Sequence, residues 1–178
     1  MASLTKLLVA RLPGDVDPAH RTYGWRETAQ AVESERVKFD PDSFIIADGY
    51  QTAGLYTFYS PTARAAINAP KPLVYAPAED KPSNQFYFWD EYNYRQHRHG
   101  ENAIYVSHLE YYKLEHGWLW KWLHHEPLTY RDVPPVGQPP ASLTDQFEVV
   151  TNLGVREIQI NDGRVFHRIQ IFGCYNLK

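Results

Sequence analysis

The sequence lacks features that characterise several common classes of protein. It has one cysteine, Cys174, so no disulfide can form within the chain, and we expect this residue to be a small buried apolar one. No apolar run approaches the roughly 20 residues that a transmembrane helix needs. The formal net charge is -3, and the lack of a basic surplus argues against binding to nucleic acid.

Motifs of nucleotide-binding, hydrolase and zinc-ribbon sites are also missing, since GxGxxG, GxxxxGK[ST], GxSxG and CxxC do not occur. The eight histidines include His97-x-His99 and His124-His125, which are pairs that can supply imidazole ligands to a metal. No carboxylate or cysteine at a fixed spacing completes either set. We therefore expect no metal and no cofactor, and histidines that are solvated or hydrogen-bonded instead.

Aromatic residues are abundant. They make up 15% of the chain, with 13 tyrosines and 5 tryptophans, and such side chains dominate interfaces and ligand surfaces as well as cores. We therefore expect some of them on the surface. The 178 residues, 43% of them hydrophobic, predict a single domain over 1–178 with a linker-like segment at 1–22.

Helical and strand patterns alternate along the first part of the chain. Residues 24–37 place apolar side chains at helical spacing, which predicts an amphipathic helix. The apolar run 44–47 predicts a buried strand, and 51–59 predicts a helix that a Ser-Pro pair ends. Segments 71–77 and 102–108 are apolar and bounded by turn residues, so they predict two more strands.

The C-terminal part carries a strong hairpin signal. Apolar and polar residues alternate on both sides of Asn161-Asp162-Gly163, which predicts an antiparallel hairpin within 147–175. The whole pattern predicts an α/β fold: a small, three-layer-like open sheet with parallel core strands and a C-terminal antiparallel hairpin. The tryptophan-rich segment 113–127 fits either a short helix or an aromatic loop.

Tyr50 and Gln51 are the first candidate binding residues. They follow the predicted strand 44–47, and open α/β sheets bind their ligands beyond the carboxyl ends of such strands. The two residues are therefore candidates for contact with a ligand or an interface. For the neighbouring Asp48 we expect a structural role, as the cap of the following helix.

The second candidate site lies in the long polar and aromatic segment before the third predicted strand. Its candidates are Asn84, Gln85, Trp89 and Asp90. Amide groups beside an aromatic ring suit sugar hydroxyls and the aliphatic faces of sugars. The alternative is an ordered loop that packs its aromatic side chains onto the sheet.

Four stretches in order carry a resemblance to a known family. They are GWRE at 24–27, D-x-YQ-x-A-x-x-x-x-FY at 48–59, NQ-x-x-x-W at 84–89 and GENAIYV at 100–106. Together they resemble the C-terminal soluble region of bacterial membrane glycosyltransferases with the GT-C fold, the dolichyl-phosphate-mannose protein mannosyltransferase-like and aminoarabinose-transferase-like proteins. The resemblance covers roughly Pro13 to Val106. Leu55 and Tyr87 depart from the family, which often has acidic residues there.

The resemblance implies a non-catalytic domain, because the family's transmembrane helices and the catalytic acidic residues of its extracytoplasmic loops are missing from this chain. It implies a periplasmic location at the inner membrane, over a transmembrane glycosyltransferase portion. There the domain would shape access for a polyprenyl-phosphate-linked sugar donor or for the acceptor. Two rival functions stay open: a stand-alone carbohydrate- or protein-binding module, and a small metal-dependent enzyme.

Overall fold

The computed structural model of the protein describes residues 23–78, 88–109, 123, 139–159 and 165–178. The chain divides into two compact units, and nearly all described residues belong to the one formed by Gly24–Leu109 and Val133–Lys178. The single domain with a linker-like segment at 1–22 stays a prediction. Within the described residues, every helix is too short or too polar to span a membrane.

Alternating helices and strands make up the first half of the described unit. In chain order they are α1 (Trp25–Phe39), β1 (Phe44–Ala47), α2 (Tyr50–Tyr59), α3 (Pro61–Ala65) and β2 (Val74–Tyr75). The boundary between α2 and α3 follows from the Ser-Pro pair. Ser60 ends α2, and its Oγ accepts a hydrogen bond from the N–H of Ala63, 3.3 Å away, while proline begins the next helix.

The second half holds the longer strands. A 3₁₀ turn (Asp90–Tyr92) precedes α4 (Tyr94–His97), β3 (Ala103–Leu109), α5 (Ala141–Gln146), β4 (Phe147–Gln159) and β5 (Val165–Leu177). The two C-terminal strands pair antiparallel, which confirms the predicted hairpin. The turn signal Asn161-Asp162-Gly163 and the tryptophan-rich segment 113–127 lie outside the described residues, apart from Leu123.

The described strands form one open sheet in the order β2-β1-β3-β5-β4. The first three are parallel to one another, and β5 runs antiparallel to both β3 and β4. This arrangement confirms the predicted α/β class with parallel core strands. It also places the carboxyl ends of β1 and β3 and the amino end of β5 at the same edge.

Each face of the sheet carries its own apolar core. On one face α1, α2 and α3 bury residues such as Val32, Tyr56 and Ala63 against the strands. On the other face α4 and α5 contribute Tyr94 and Leu143. The predicted three-layer arrangement follows, because all four residues of β1 are buried between the two helical layers.

Strand β2 is shorter than the predicted strand at 71–77. Before this strand, Arg98 donates a guanidinium hydrogen bond to the carbonyl of Lys71 at 3.1 Å and another to the carbonyl of Pro72, which itself has no N–H to pair. Its Nε donates to the Tyr75 hydroxyl at 3.0 Å. The carbonyls of Lys71 and Pro72 are therefore held by a side chain, whereas the Leu73 carbonyl accepts a hydrogen bond from the N–H of Ile45 in β1 at 2.9 Å, and Val74 and Tyr75 pair with β1.

Candidate functional site

Asp48 and His108 join the two central parallel strands where β1 leaves the sheet. The Asp48 carboxylate accepts a hydrogen bond from the backbone N–H of His108 at 2.6 Å, and it also lies 3.4 Å from the Nδ1 of that residue. Strand β1 ends at Ala47, so the Asp48 carboxylate takes the place of a backbone carbonyl as the acceptor for this N–H. Burial alone raises the pKa of Asp48, but the nearby imidazole and the backbone N–H of His108 outweigh this effect and hold the pKa below its usual value.

The expected capping role of Asp48 is therefore wrong. Gly49 occupies the N-cap position of α2, and no side chain caps that end of the helix. The carboxylate faces the neighbouring strand instead, because the N–H of His108 needs an acceptor at the sheet edge.

A cluster of rings surrounds His108 at this edge. The ring centroid of Trp25 lies 5.1 Å from that of His108 and 4.5 Å from that of His167. Tyr56 stacks on His108 with a centroid distance of 5.9 Å. Thr28 Oγ1 lies 2.8 Å from His167 Nδ1, which fixes the second imidazole against α1. We call Trp25, Asp48, Tyr56, His108 and His167 the edge cluster.

Three polar atoms of the edge cluster are buried without a hydrogen-bond partner among the described residues. They are the Tyr56 hydroxyl and both ring nitrogens of His108, of which Nδ1 lies 3.4 Å from the Asp48 carboxylate. Tyr56 is only 1% exposed, and burial raises its phenol pKa well above the usual value, with a further contribution from the negative charge of Asp48. Tyr56 is therefore a neutral hydrogen-bond donor under all ordinary conditions.

The edge cluster combines hydrogen-bonding groups with the faces of aromatic rings. The edge cluster offers a phenol, an imidazole held by a carboxylate and an indole, but it lacks a thiol or a serine hydroxyl. Cys174 is elsewhere, buried in the opposite core, and burial raises its thiol pKa to about 12. A thiol with such a pKa is a poor nucleophile at neutral pH.

No protein-family model, curated protein or solved structure matches the chain.

The candidates Tyr50 and Gln51 lie at the start of α2, directly beyond the carboxyl end of β1. Both are exposed, Tyr50 by 47%. Gln51 Nε2 donates a hydrogen bond to the Tyr50 hydroxyl at 3.3 Å. The pair thus presents an amide carbonyl and a phenol to solvent, next to the Asp48 carboxylate of the edge cluster.

The other candidates are only partly described. Asn84 and Gln85 lie outside the described residues. Trp89 is 43% exposed, and its ring centroid lies 5.9 Å from that of Tyr92. Asp90 is exposed and lies 3.3 Å from Nε2 of His97. That these residues share one crevice with Tyr50 and Gln51 stays a prediction.

The histidine pairs have separate surroundings. His97 binds the carbonyl oxygen of Asp90 at 3.0 Å, and His99 is exposed in the following turn. His124 and His125 lie outside the described residues. Among the residues that the structure describes, no group of three or more His, Cys, Asp or Glu side chains has the geometry to hold a metal.

Sequence reasoning missed His108 and His167. His108 ends an apolar run that forms a parallel strand, so the rule that selected Tyr50 also applies to it. His167 reaches the edge cluster only because β5 runs antiparallel beside β3, where Arg168 pairs with Leu109. That register is not visible in either strand's own sequence.

Proposed function

We propose that this chain is a non-catalytic extracytoplasmic domain of a bacterial membrane glycosyltransferase that uses a polyprenyl-phosphate-linked sugar donor. In this role the domain lies over the transmembrane portion on the periplasmic side of the inner membrane. It shapes access for the lipid-linked donor or for the acceptor and contributes no catalytic residue.

The meeting of two separate motif stretches at one sheet edge is the observation that supports the proposal. Trp25 belongs to the stretch GWRE and packs its ring against His108. Asp48 begins the stretch DGYQ and accepts the backbone N–H of the same histidine. Residues of both stretches therefore contribute to one local structure, as expected for motifs that together characterise one type of domain.

The exposed part of that edge is the proposed contact surface. Tyr50 and Gln51 expose a phenol and an amide at the start of α2, two and three residues after Asp48 of the edge cluster. Amides and phenols can donate and accept hydrogen bonds, which suits the hydroxyl groups of a sugar. We assign the contact with donor or acceptor to this pair, and the role of holding it in place to the edge cluster.

Replacing Gln51 by alanine tests the assignment in the full membrane enzyme. The expected result is sugar transfer slowed by roughly fivefold to tenfold, because one or two hydrogen bonds to the bound sugar are lost. Thermal unfolding should be unchanged, since the side chain is exposed and alanine is a good helix former.

Gln30 provides a matched control, because it is an exposed glutamine within α1. Gln30→Ala should leave sugar transfer unchanged. Equal rates for the two variants would remove Gln51 from the contact surface. A large loss of stability in Gln51→Ala alone would instead assign the residue to the fold.

A carbohydrate-binding module is the second candidate function, favoured by the exposed ring of Trp89 beside Asp90. Such a module would bind free glycans when the chain is isolated, and Trp89→Ala would abolish that binding. Stacking of an indole on a sugar face is the physical basis of this expectation.

A further inference from the structure

A surface pocket of about 250 Å³ lies between α2, α3 and the edge strand β2, away from the edge cluster. Its walls are mostly apolar side chains, among them Phe58, Ile67, Val74 and Tyr92. The volume falls just below the roughly 300–1,000 Å³ of sites for drug-sized ligands. The pocket is therefore large enough for a short chain or a single ring.

Gly54 forms part of the pocket wall, and the fold gives no reason for a glycine there. The residue lies inside α2, where glycine is less favourable than alanine. Its φ is not positive, and an added Cβ would have no described atom within 4 Å. The absence of a side chain at Gly54 leaves space in the pocket wall.

Arg64 is the one charged residue that lines the pocket among the described residues. Its guanidinium lies 5.3 Å from the centroid of the Phe58 ring and donates a hydrogen bond to the Phe58 carbonyl oxygen. No described carboxylate pairs with it. A guanidinium has five N–H donors, so several remain available to an anion beside the apolar walls.

We propose that this pocket binds a small amphiphile whose apolar part fills the space beside Gly54 and whose anionic group, a phosphate or a carboxylate, pairs with Arg64. The apolar walls gain from burial of the chain, and the guanidinium binds the anionic oxygens with charge-assisted hydrogen bonds. The inference does not rest on the proposed glycosyltransferase function, since it concerns a different part of the surface.

Calorimetric titration of the full chain with octyl phosphate tests the proposal. The comparison ligands are octanol, which lacks the anionic group, and inorganic phosphate, which lacks the alkyl chain. Octyl phosphate should bind at least roughly tenfold more tightly than either of them, because only it offers both parts. Equal affinity for octanol, or no binding of octyl phosphate, would overturn the proposal.

Two variants assign the binding to the pocket. Arg64→Gln should weaken octyl phosphate roughly tenfold and leave octanol unchanged, whereas the exposed Arg26→Gln on α1 should change neither. Gly54→Leu should weaken both ligands by filling the pocket. Should Gly54→Leu unfold, Gly54→Ala serves instead, since alanine favours the helix and still narrows the space. Unchanged octyl phosphate binding in Arg64→Gln would overturn the proposal.

Sedimentation with vesicles distinguishes a bilayer lipid from a free amphiphile as the source of the anionic group. Vesicles of phosphatidylcholine with phosphatidic acid are compared with vesicles of phosphatidylcholine alone. Binding to the anionic vesicles that Arg64→Gln abolishes would support a lipid headgroup. Pocket-dependent binding of octyl phosphate without vesicle binding would support a free amphiphile.

Discussion

Asp48 has the clearest single-residue role in the described structure. Its carboxylate serves as an acceptor for the N–H of His108 at the point where β1 ends, and it lies beside the imidazole of the same residue. Because the side chain is mostly buried, loss of its charge is costly. This contact continues the connection between β1 and β3 beyond the last paired residues, Ala47 and Val106.

Asp48→Asn should lower the free energy of unfolding at neutral pH by about 1–2 kcal/mol, the range expected for a hydrogen bond to a charged group. The pKa of the Asp48 carboxyl lies below its usual value in the folded protein. The stabilisation is therefore complete above the unfolded pKa of about 3.9 and is lost as the pH falls through the lower folded value.

Urea unfolding of wild type and variant at several pH values measures this difference. The exposed Asp42 provides the control, and Asp42→Asn should leave the free energy of unfolding nearly unchanged. If the deficit of Asp48→Asn stays constant down to the most acidic pH tested, the charge of Asp48 is not its source.

Single residues also mark the limit of what the sequence can predict. The position of Tyr50 and Gln51 follows from the apolar run before them, and their exposure agrees with a role at the surface. The partner of Asp48 does not follow, because a carboxylate near a helix start most often caps that helix. Only the pairing of β1 with β3 shows that the N–H of His108 lies close enough to bind the Asp48 carboxylate.

At the level of elements, helix α1 and strand β5 show how closely the layers pack. A Cβ at Gly173 would lie 2.5 Å from Cε2 of Phe39, although the glycine has no positive φ. The Phe39 ring also packs edge-on against Tyr175, with a centroid distance of 4.9 Å. The glycine is therefore required for the approach of α1 to the sheet.

Gly173→Ala should lower the free energy of unfolding by about 1–3 kcal/mol, because the added methyl group displaces the Phe39 ring. Gly54→Ala should act in the opposite direction and raise it by about 0.5–1 kcal/mol, since that glycine lies in a helix with open space around it. Chemical denaturation measures both. A Gly173→Ala protein as stable as wild type would show that α1 or its Phe39 ring moves away from the sheet without loss of folding free energy.

The elements themselves were largely predictable. Strand β1 matches the predicted range, and α1 extends only two residues past it, because apolar spacing and turn residues mark both. The length of strand β2 is overestimated. The sequence does not show that Arg98 donates hydrogen bonds to the carbonyls of Lys71 and Pro72. The pocket beside Gly54 could not be predicted, because it arises where α2, α3 and β2 meet.

At the scale of the whole molecule, two distinct surfaces have been assigned. The edge with Tyr50 and Gln51 is proposed to meet a sugar donor or acceptor, and the pocket beside Gly54 an anionic amphiphile. Both lie on an open sheet with parallel core strands and a C-terminal antiparallel hairpin, as predicted from the sequence. The proposed glycosyltransferase context rests on the four motif stretches and on the meeting of two of them, GWRE and DGYQ, at one edge.

The most direct test of that context is the hydropathy of the complete native reading frame that encodes this chain. The proposal predicts several spans of about 20 apolar residues upstream of residue 1, with acidic residues in the extracytoplasmic loops between them. A reading frame that encodes these 178 residues and no membrane span would contradict it.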